Sequence, residues 1–150
     1  MTRSFVSNNR DVKTKDSKGD SAFRVVAEVT SIPLINSNID FDVADGNVSA
    51  IKAIYKTVNG VKPAFYNQTE SESIVIGLSI NGAIDGDVIR YKTHGRMEDS
   101  SFAFAINVPL YLGINGALTE SEPVTGYRTQ VATSLEVGAI NINIQEPIEL

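Results

Sequence analysis

Three aspartates close together in the sequence are the first candidates for metal binding. Asp40, Asp42 and Asp45 precede Gly46, and clustered carboxylate oxygens are the ligands that Ca²⁺ prefers. The helix-loop calcium motif needs its third acid one residue earlier and a glutamate six residues after the glycine, where this chain has Lys52. The spacing therefore favours solvated acids on the outer face of a strand that enters a turn, and we predict no metal site.

Other groups that could catalyse a reaction are few. The single histidine, His94, lies in a cationic turn with no acid or nucleophile near it in the sequence, so a proton relay is not indicated. Glu120 and Glu122 could serve glycoside hydrolysis as a carboxylate pair, but neighbouring loop acids are common and their placement is open. The chain has no cysteine, no serine in a G-x-S-x-G elbow and no phosphate-binding glycine loop. We expect no catalytic residue, no cofactor and no enzymatic activity.

Six aromatic residues could form a platform for sugar rings: Tyr55, Phe65, Tyr66, Tyr91, Tyr111 and Tyr127. An aromatic ring suits the C–H side of a pyranose. Tyrosines in strands more commonly fill the rims of cores and interfaces, where the hydroxyl serves as a polar handle. Packing is therefore the favoured role, and a sugar-binding surface stays open as an alternative.

The elements that must position these residues show the two-residue period of strands. The pattern begins at Ala22, and within 38–43 the side chains of Ile39, Phe41 and Val43 are predicted to be the buried half of a strand. No run has a sustained helical stripe. Further runs rich in β-branched and aromatic residues cover 51–56, 73–80, 87–93, 101–108, 127–135 and 139–145.

Five dipeptides that tolerate positive φ separate these runs: Asp45-Gly46, Asn59-Gly60, Asn81-Gly82, Asp85-Gly86 and Asn115-Gly116. Such pairs fit the type I′ turn, whose twist matches that of the flanking strands. Together, the runs and the turns predict an all-β fold of the meander or small-barrel kind.

An internal repeat divides the predicted β domain, residues 21–150. Segments 54–60 and 110–116 share the pattern aliphatic, Tyr, two variable residues, aliphatic, Asn-Gly, and 82–84 resembles 138–140 at the same offset. We predict two similar small β units, about 48–100 and 105–150, in one compact domain. Because an isolated hairpin is marginal in water, the units are expected to pair with each other or with neighbouring chains.

Composition limits the partners. The chain of 150 residues has a net charge of -5 and no apolar run long enough to cross a membrane, so we expect neither nucleic acid binding nor membrane insertion. Residues 1–20 are polar almost throughout and are predicted to be a flexible N-terminal arm that either remains disordered or orders against a partner subunit.

The C-terminal half contains a recognisable series of segments: 109–119 (PLYLGINGALT), Pro123, Gly126-Tyr127, Gln130-Val131 and the closing segment 140–150. This series resembles a recurrent segment of virion structural proteins of tailed bacteriophages. An upstream stretch, 75–78 to 86–89 with Gly95, looks like its companion. Together these segments cover about residues 48–150, and they consist of turn glycines and aliphatic residues rather than reactive groups.

The resemblance implies a non-enzymatic short tail fibre or spike component that takes part in particle assembly. Such proteins are usually homotrimers, so the expected partners are further copies of this chain and other virion proteins, with host attachment and binding to host surface polysaccharide left open. The expected location is the virion, after synthesis in the host cytoplasm. The alternatives are a capsid decoration protein and a carbohydrate-binding β module.

Overall fold

The computed structural model describes residues 38–150, and within this range the chain is all-β, as predicted. The predicted arm at 1–20 and the start of the strand pattern at Ala22 lie outside the described residues. Two short 3-10 helices occupy Ser71–Ser73 and Ile114–Gly116. The strands are β1 (Ile39–Val43), β2 (Ala53–Lys56), β3 (Val61–Pro63), β4 (Gly77–Ser79), β5 (Val88–Lys92), β6 (Gly95–Glu98), β7 (Pro109–Leu112), β8 (Leu118–Thr119), β9 (Tyr127–Arg128), β10 (Gln130–Glu136), β11 (Ala139–Ile142) and β12 (Ile148–Glu149).

The strands form two five-stranded antiparallel sheets with the same connectivity. Sheet one has the order β1-β5-β4-β2-β3, and sheet two has the order β6-β11-β10-β7-β8. When β1 to β5 are matched in chain order with β6, β7, β8, β10 and β11, the two orders coincide. In sheet one, β1 pairs with β5 and β4 pairs with β2. In sheet two, the corresponding pairs are β6 with β11 and β10 with β7. A separate two-stranded sheet joins β9 and β12.

Backbone details repeat with the connectivity. Ile51 and Asn107 precede β2 and β7, and each has a φ of 60°. The Ile51 N–H donates to the Ser79 carbonyl at 2.8 Å, and the Asn107 N–H donates to the Ser134 carbonyl at 2.8 Å. Because a positive φ at a residue other than glycine is uncommon, its occurrence at matching positions with matching partners indicates that the two sheets are copies of one β unit.

The sheets span 39–92 and 95–142, whereas the predicted units are 48–100 and 105–150. The predicted units leave out β1 and assign β6 to the first unit, although β6 pairs with β11 of sheet two. Of the two sequence matches, 54–60 and 110–116 lie at equivalent strands. The other match is not structural, because 82–84 lies in the loop before β5 and Gly138 turns directly into β11.

The predicted strand at 101–108 is wrong, because no strand forms between Glu98 and Pro109. The alternation there has another origin. Phe102 is buried, and Phe104 is half-buried with its ring centroid 6.3 Å from that of Phe102. The segment is an irregular connection that brings two aromatic rings to the core, and a pattern of apolar residues alone does not distinguish such a connection from a strand.

Two clusters of buried side chains hold the fold together. The larger cluster contains Ala53 and Leu78 of sheet one together with Leu110 and Ile140 of sheet two, so it joins the two sheets. The smaller cluster lies on the opposite face of sheet one and is built around Ile54, Val61, Ile89 and Tyr91. Sheet one is therefore covered on both faces at its centre.

Candidate functional site

The outer end of sheet one presents an apolar surface to solvent. Phe41 lies opposite Arg90 and Val43 lies opposite Val88, so the four side chains share one face. Phe41 is 59% exposed, Val88 60% and Val43 39%. The prediction that Phe41 and Val43 are buried is therefore wrong for the described chain. We call this surface the β1–β5 face; its residues are Ile39, Phe41, Val43, Val88, Arg90 and Lys92.

The β1–β5 face continues a surface that is buried elsewhere in the same sheet. Lys92 pairs with Leu78, and Leu78 pairs with Ala53, so these residues share the side of the sheet that carries Phe41. Leu78 and Ala53 are fully buried in the core between the sheets. Among residues 38–150, the core therefore covers this side of sheet one at its centre and does not extend to the β1–β5 end.

The second copy of the unit does not repeat this surface. Ser79 and Ser134 occupy equivalent positions and lie opposite Tyr91 and Ile140, so Tyr91 corresponds to Ile140. On the outer strands, Asp40 then corresponds to Met97 and Phe41 to Glu98. Met97 is 8% exposed and belongs to the core, whereas Glu98 is exposed. At the equivalent position the second copy therefore has an exposed glutamate where the first copy has an exposed phenylalanine.

The aspartates of β1 protect its outer backbone edge. The Ala44 N–H donates to the Asp87 carbonyl at the β5 side, so the amides of Phe41 and Val43 point away from β5. The Phe41 N–H donates to Asp40 Oδ1 at 2.9 Å, and the Val43 N–H donates to Asp42 Oδ1 at 2.7 Å. Each carboxylate satisfies the next amide of the chain, which blocks the edge against pairing with another strand.

The third acid of the predicted group, Asp45, is held elsewhere. Its Oδ2 accepts a hydrogen bond from the Thr57 hydroxyl at 2.7 Å, while Asp42 Oδ2 accepts one from the Lys56 ammonium at 2.8 Å. Burial alone would raise the pKa of Asp42, but the hydrogen bonds from Lys56 and from the Val43 amide outweigh it and lower that pKa below its ordinary value. Within 38–150, no group of three or more acidic or histidine side chains is arranged to hold a metal ion.

A second apolar feature lies at the far end of sheet two. It is a groove of about 460 Å³ beside β7 and β8, which we call the β7–β8 groove. Val124 is 89% exposed on it and Ile114 is 56% exposed. Its lining residues are Tyr66, Leu112, Gly113, Ile114, Ala117, Thr119, Ser121, Glu122, Pro123 and Val124.

Of the predicted glutamate pair, Glu122 lines this groove and Glu120 does not, and the two have different partners. Glu122 forms an ion pair with Arg128. Glu120 Oε2 accepts a hydrogen bond from the Ala105 N–H at 2.8 Å, which fixes the irregular segment before β7. The two carboxylates therefore act in local structure, while the acidic segment gives the groove a negative rim.

The histidine turn connects the two sheets. His94 is exposed between β5 and β6; its carbonyl accepts a hydrogen bond from the Asn38 side chain at 3.0 Å, and its ring Nδ1 lies 3.0 Å from the Thr93 hydroxyl. These contacts join the start of β1 to the start of β6, so His94 and its neighbours take part in the connection between the repeated units.

The six aromatic candidates do not form one platform. Tyr91 is buried in the smaller cluster, where burial, together with the negative charges of Asp40 and Asp42, raises its pKa. Burial and the nearby Glu72 raise the pKa of Tyr55. Tyr66 lines the β7–β8 groove and Tyr111 lines a separate polar pocket. Phe65 and Tyr127 are half-buried in other parts of the chain.

The polar pocket, of about 320 Å³, lies where β7 and β10 meet the small β9–β12 sheet. Tyr111 lies opposite Gln130, and the Gln145 N–H donates to the Gln130 carbonyl at 2.9 Å. Arg128 lies opposite Ile148 and closes one side. The pocket residues are Tyr111, Arg128, Gln130, Gln145, Glu146 and Ile148.

Comparison with known proteins adds no assignment, since no protein family and no curated protein matches the chain. No helix among residues 38–150 is long and apolar enough to cross a membrane. The β1–β5 face and the β7–β8 groove are thus identified by their geometry. Sequence reasoning missed both. All groove residues except Tyr66 lie within 112–124, but their pattern does not show that they enclose a space. The alternation in β1 predicts that Phe41 and Val43 are buried, whereas both are exposed.

Proposed function

We propose that this chain is a non-enzymatic structural subunit of an oligomer on a bacteriophage particle, a short tail fibre or spike component. One observation carries the structural role: Phe41, Val43 and Val88 form an exposed apolar face on the side of sheet one that is core at Leu78 and Ala53. Apolar surface that is exposed in one protomer is favourably buried by association. Three copies around one axis would cover such surfaces, which supports the homotrimer that the family resemblance implies.

The phage assignment depends on the resemblance of the C-terminal half, centred on segment 109–119 and the closing segment 140–150. In the fold, the first of these contributes β7 and β8 and the second contributes most of β11 together with β12. The resembling residues are therefore those that build sheet two and the wall of the β7–β8 groove. A part with this composition of turns and aliphatic residues suits assembly rather than catalysis.

The first test is the solution mass. Sedimentation equilibrium of the full chain over a range of concentrations is expected to give three times the 16.2 kDa of one chain. A monomer at every concentration would rule out the proposed assembly. Immunogold labelling of particles with an antibody against the chain then tests the location: label at tails is expected, and label over heads would instead favour a capsid decoration protein.

The polar pocket favours a second function, the binding of a carbohydrate. An aromatic ring, two amides, Arg128 and Glu146 line there a space the size of a small sugar, and such mixed lining suits hydroxyl groups. A glycan array probed with the full chain tests this role. Binding that is lost with Tyr111→Ala and kept with Tyr55→Ala would support it; absence of any glycan signal would argue against it.

A further inference from the structure

We propose that the β1–β5 face of one protomer docks into the β7–β8 groove of a second copy of this chain, in a head-to-tail contact. The proposal rests on the proposed oligomeric function and adds to it which two surfaces meet. Phe41 would be the central anchor, because aromatic side chains at the centre of an interface contribute most to binding.

The two surfaces have matching apolar character. The face offers Phe41 flanked by Val43 and Val88, all outside the core of the protomer. The groove offers Ile114 and Val124 around a space of about 460 Å³ that is large enough for several side chains. Docking would therefore remove apolar surface from water on both sides of one contact.

Their charges are opposite. Arg90 and Lys92 lie on the β1–β5 face, on the same side as Phe41. Glu122 lines the groove and pairs with Arg128 of its own protomer, and Glu120 lies two residues away in the same segment. The two glutamates outnumber that arginine, so a face with two positive charges fits this acidic segment, whereas two copies of the face stacked on each other would bring four positive charges together.

The positions of the surfaces explain a head-to-tail arrangement. β1 is an edge strand of sheet one among the described strands, and β8 is an edge strand of sheet two. Gly116, beside the groove, packs on Ala53 of β2, and β2 is separated from β1 by β4 and β5. Each protomer therefore offers the face and the groove at different ends, so a contact between them passes from copy to copy and forms a ring if the rotation closes.

Strand addition is a less suitable way to join these copies. The outward amides of β1 already bond to Asp40 and Asp42, so the backbone edge offers few free donors. Association through the side chains of the face leaves those bonds intact.

Cysteine cross-linking tests the contact directly, because the natural chain contains no cysteine. Val43 and Val124 are both exposed, so Val43→Cys and Val124→Cys should fold normally. When the two single variants are mixed and treated with a short bis-maleimide, we expect a covalent dimer containing one of each. Val58→Cys, at a site 97% exposed in the turn between β2 and β3, replaces Val43→Cys in the control mixture and should not cross-link to Val124→Cys.

The outcomes separate this proposal from the one it rests on. Cross-linking of Val43→Cys to itself, or a trimer with no cross-link between Val43→Cys and Val124→Cys, would overturn the head-to-tail contact and leave the oligomeric function standing. A monomer at all concentrations would overturn both.

Charge reversal gives an independent measurement. Arg90→Glu is expected to weaken self-association about tenfold or more, and adding Glu122→Lys to it should restore most of the loss, since the pair regains opposite signs. If the double variant associates more weakly than Arg90→Glu alone, the two residues do not face each other and the contact is refuted.

Discussion

Phe41 and Met97 are large apolar residues of the outer strands β1 and β6, and because one is exposed and the other is core, the same substitution at both should have different consequences. Met97 is 8% exposed and belongs to the core, and Met97→Ala should lower the free energy of unfolding by about 2–5 kcal/mol. Phe41 is 59% exposed, so Phe41→Ala should lower it by less than about 1 kcal/mol. The cost of losing Phe41 is expected in association instead.

The size of that cost follows from the exposed area. A phenylalanine offers about 200 Å² in total, so 59% exposure leaves about 120 Å² that a partner can cover. At about 25 cal/mol per Å², full burial contributes up to about 3 kcal/mol, and with the β-carbon retained Phe41→Ala should lose about 2 kcal/mol per contact, or about 30-fold in the dissociation constant.

Two assays distinguish the effects. Urea unfolding at a concentration where the protein is monomeric measures protomer stability, and sedimentation equilibrium at higher concentrations measures association. The reasoning would be refuted if Phe41→Ala reduced protomer stability as much as Met97→Ala does, or if it left the dissociation constant unchanged.

Three further predictions concern the fold itself. Thr129 is fully buried and its hydroxyl donates to the Ser73 carbonyl at 2.9 Å. Thr129→Val should therefore lower the free energy of unfolding, measured in urea, by about 1–3 kcal/mol, and Thr129→Ser should lower it less because it keeps the donor. Equal losses in the two variants would contradict this account. Asn107 is exposed and has a φ of 60°, a conformation that β-branched residues disfavour and glycine adopts freely. Asn107→Ile should therefore lower the free energy of unfolding by about 1–2 kcal/mol, and Asn107→Gly should leave it nearly unchanged, as measured by thermal unfolding. The lowered pKa of Asp42 gives stability that is present above its unfolded value of about 3.8 and lost as the pH falls through the lower folded value. Asp42→Asn should therefore cost up to about 1 kcal/mol at pH 7, and its difference from the natural protein should shrink below about pH 3.8; a difference that is constant with pH would exclude the carboxylate as its cause.

The class of the fold and one of the five predicted type I′ turns could be predicted from the sequence, because both depend on local chemistry. In the other four dipeptides the first residue does not have a positive φ, and at Asn81-Gly82 the glycine does not have one either. Asn115-Gly116 has φ values of 57° and 77°, the pair of positive angles that its residue types favour. The strand predicted at 38–43 forms as β1, Ile39–Val43. What the alternation of β1 could not reveal is which of its faces the protein covers, since periodicity places Phe41 and Asp42 on opposite sides without saying where the core lies.

The two surfaces of the proposed contact required the three-dimensional structure for a related reason. The pairing of β1 with β5 places Phe41 on the same face as Arg90, but only the packing of the two sheets determines that the core covers this face at Leu78 and Ala53 and does not extend to Phe41. The exposed end carries the cations Arg90 and Lys92 beside Phe41. Cations at an end that remains exposed in the protomer limit indiscriminate apolar association, while a partner with acidic groups can still be recognised. An exposed phenylalanine beside two cations is thus what association with an acidic groove requires, and it makes Arg90 and Lys92 the residues whose charge should decide which surface the face accepts.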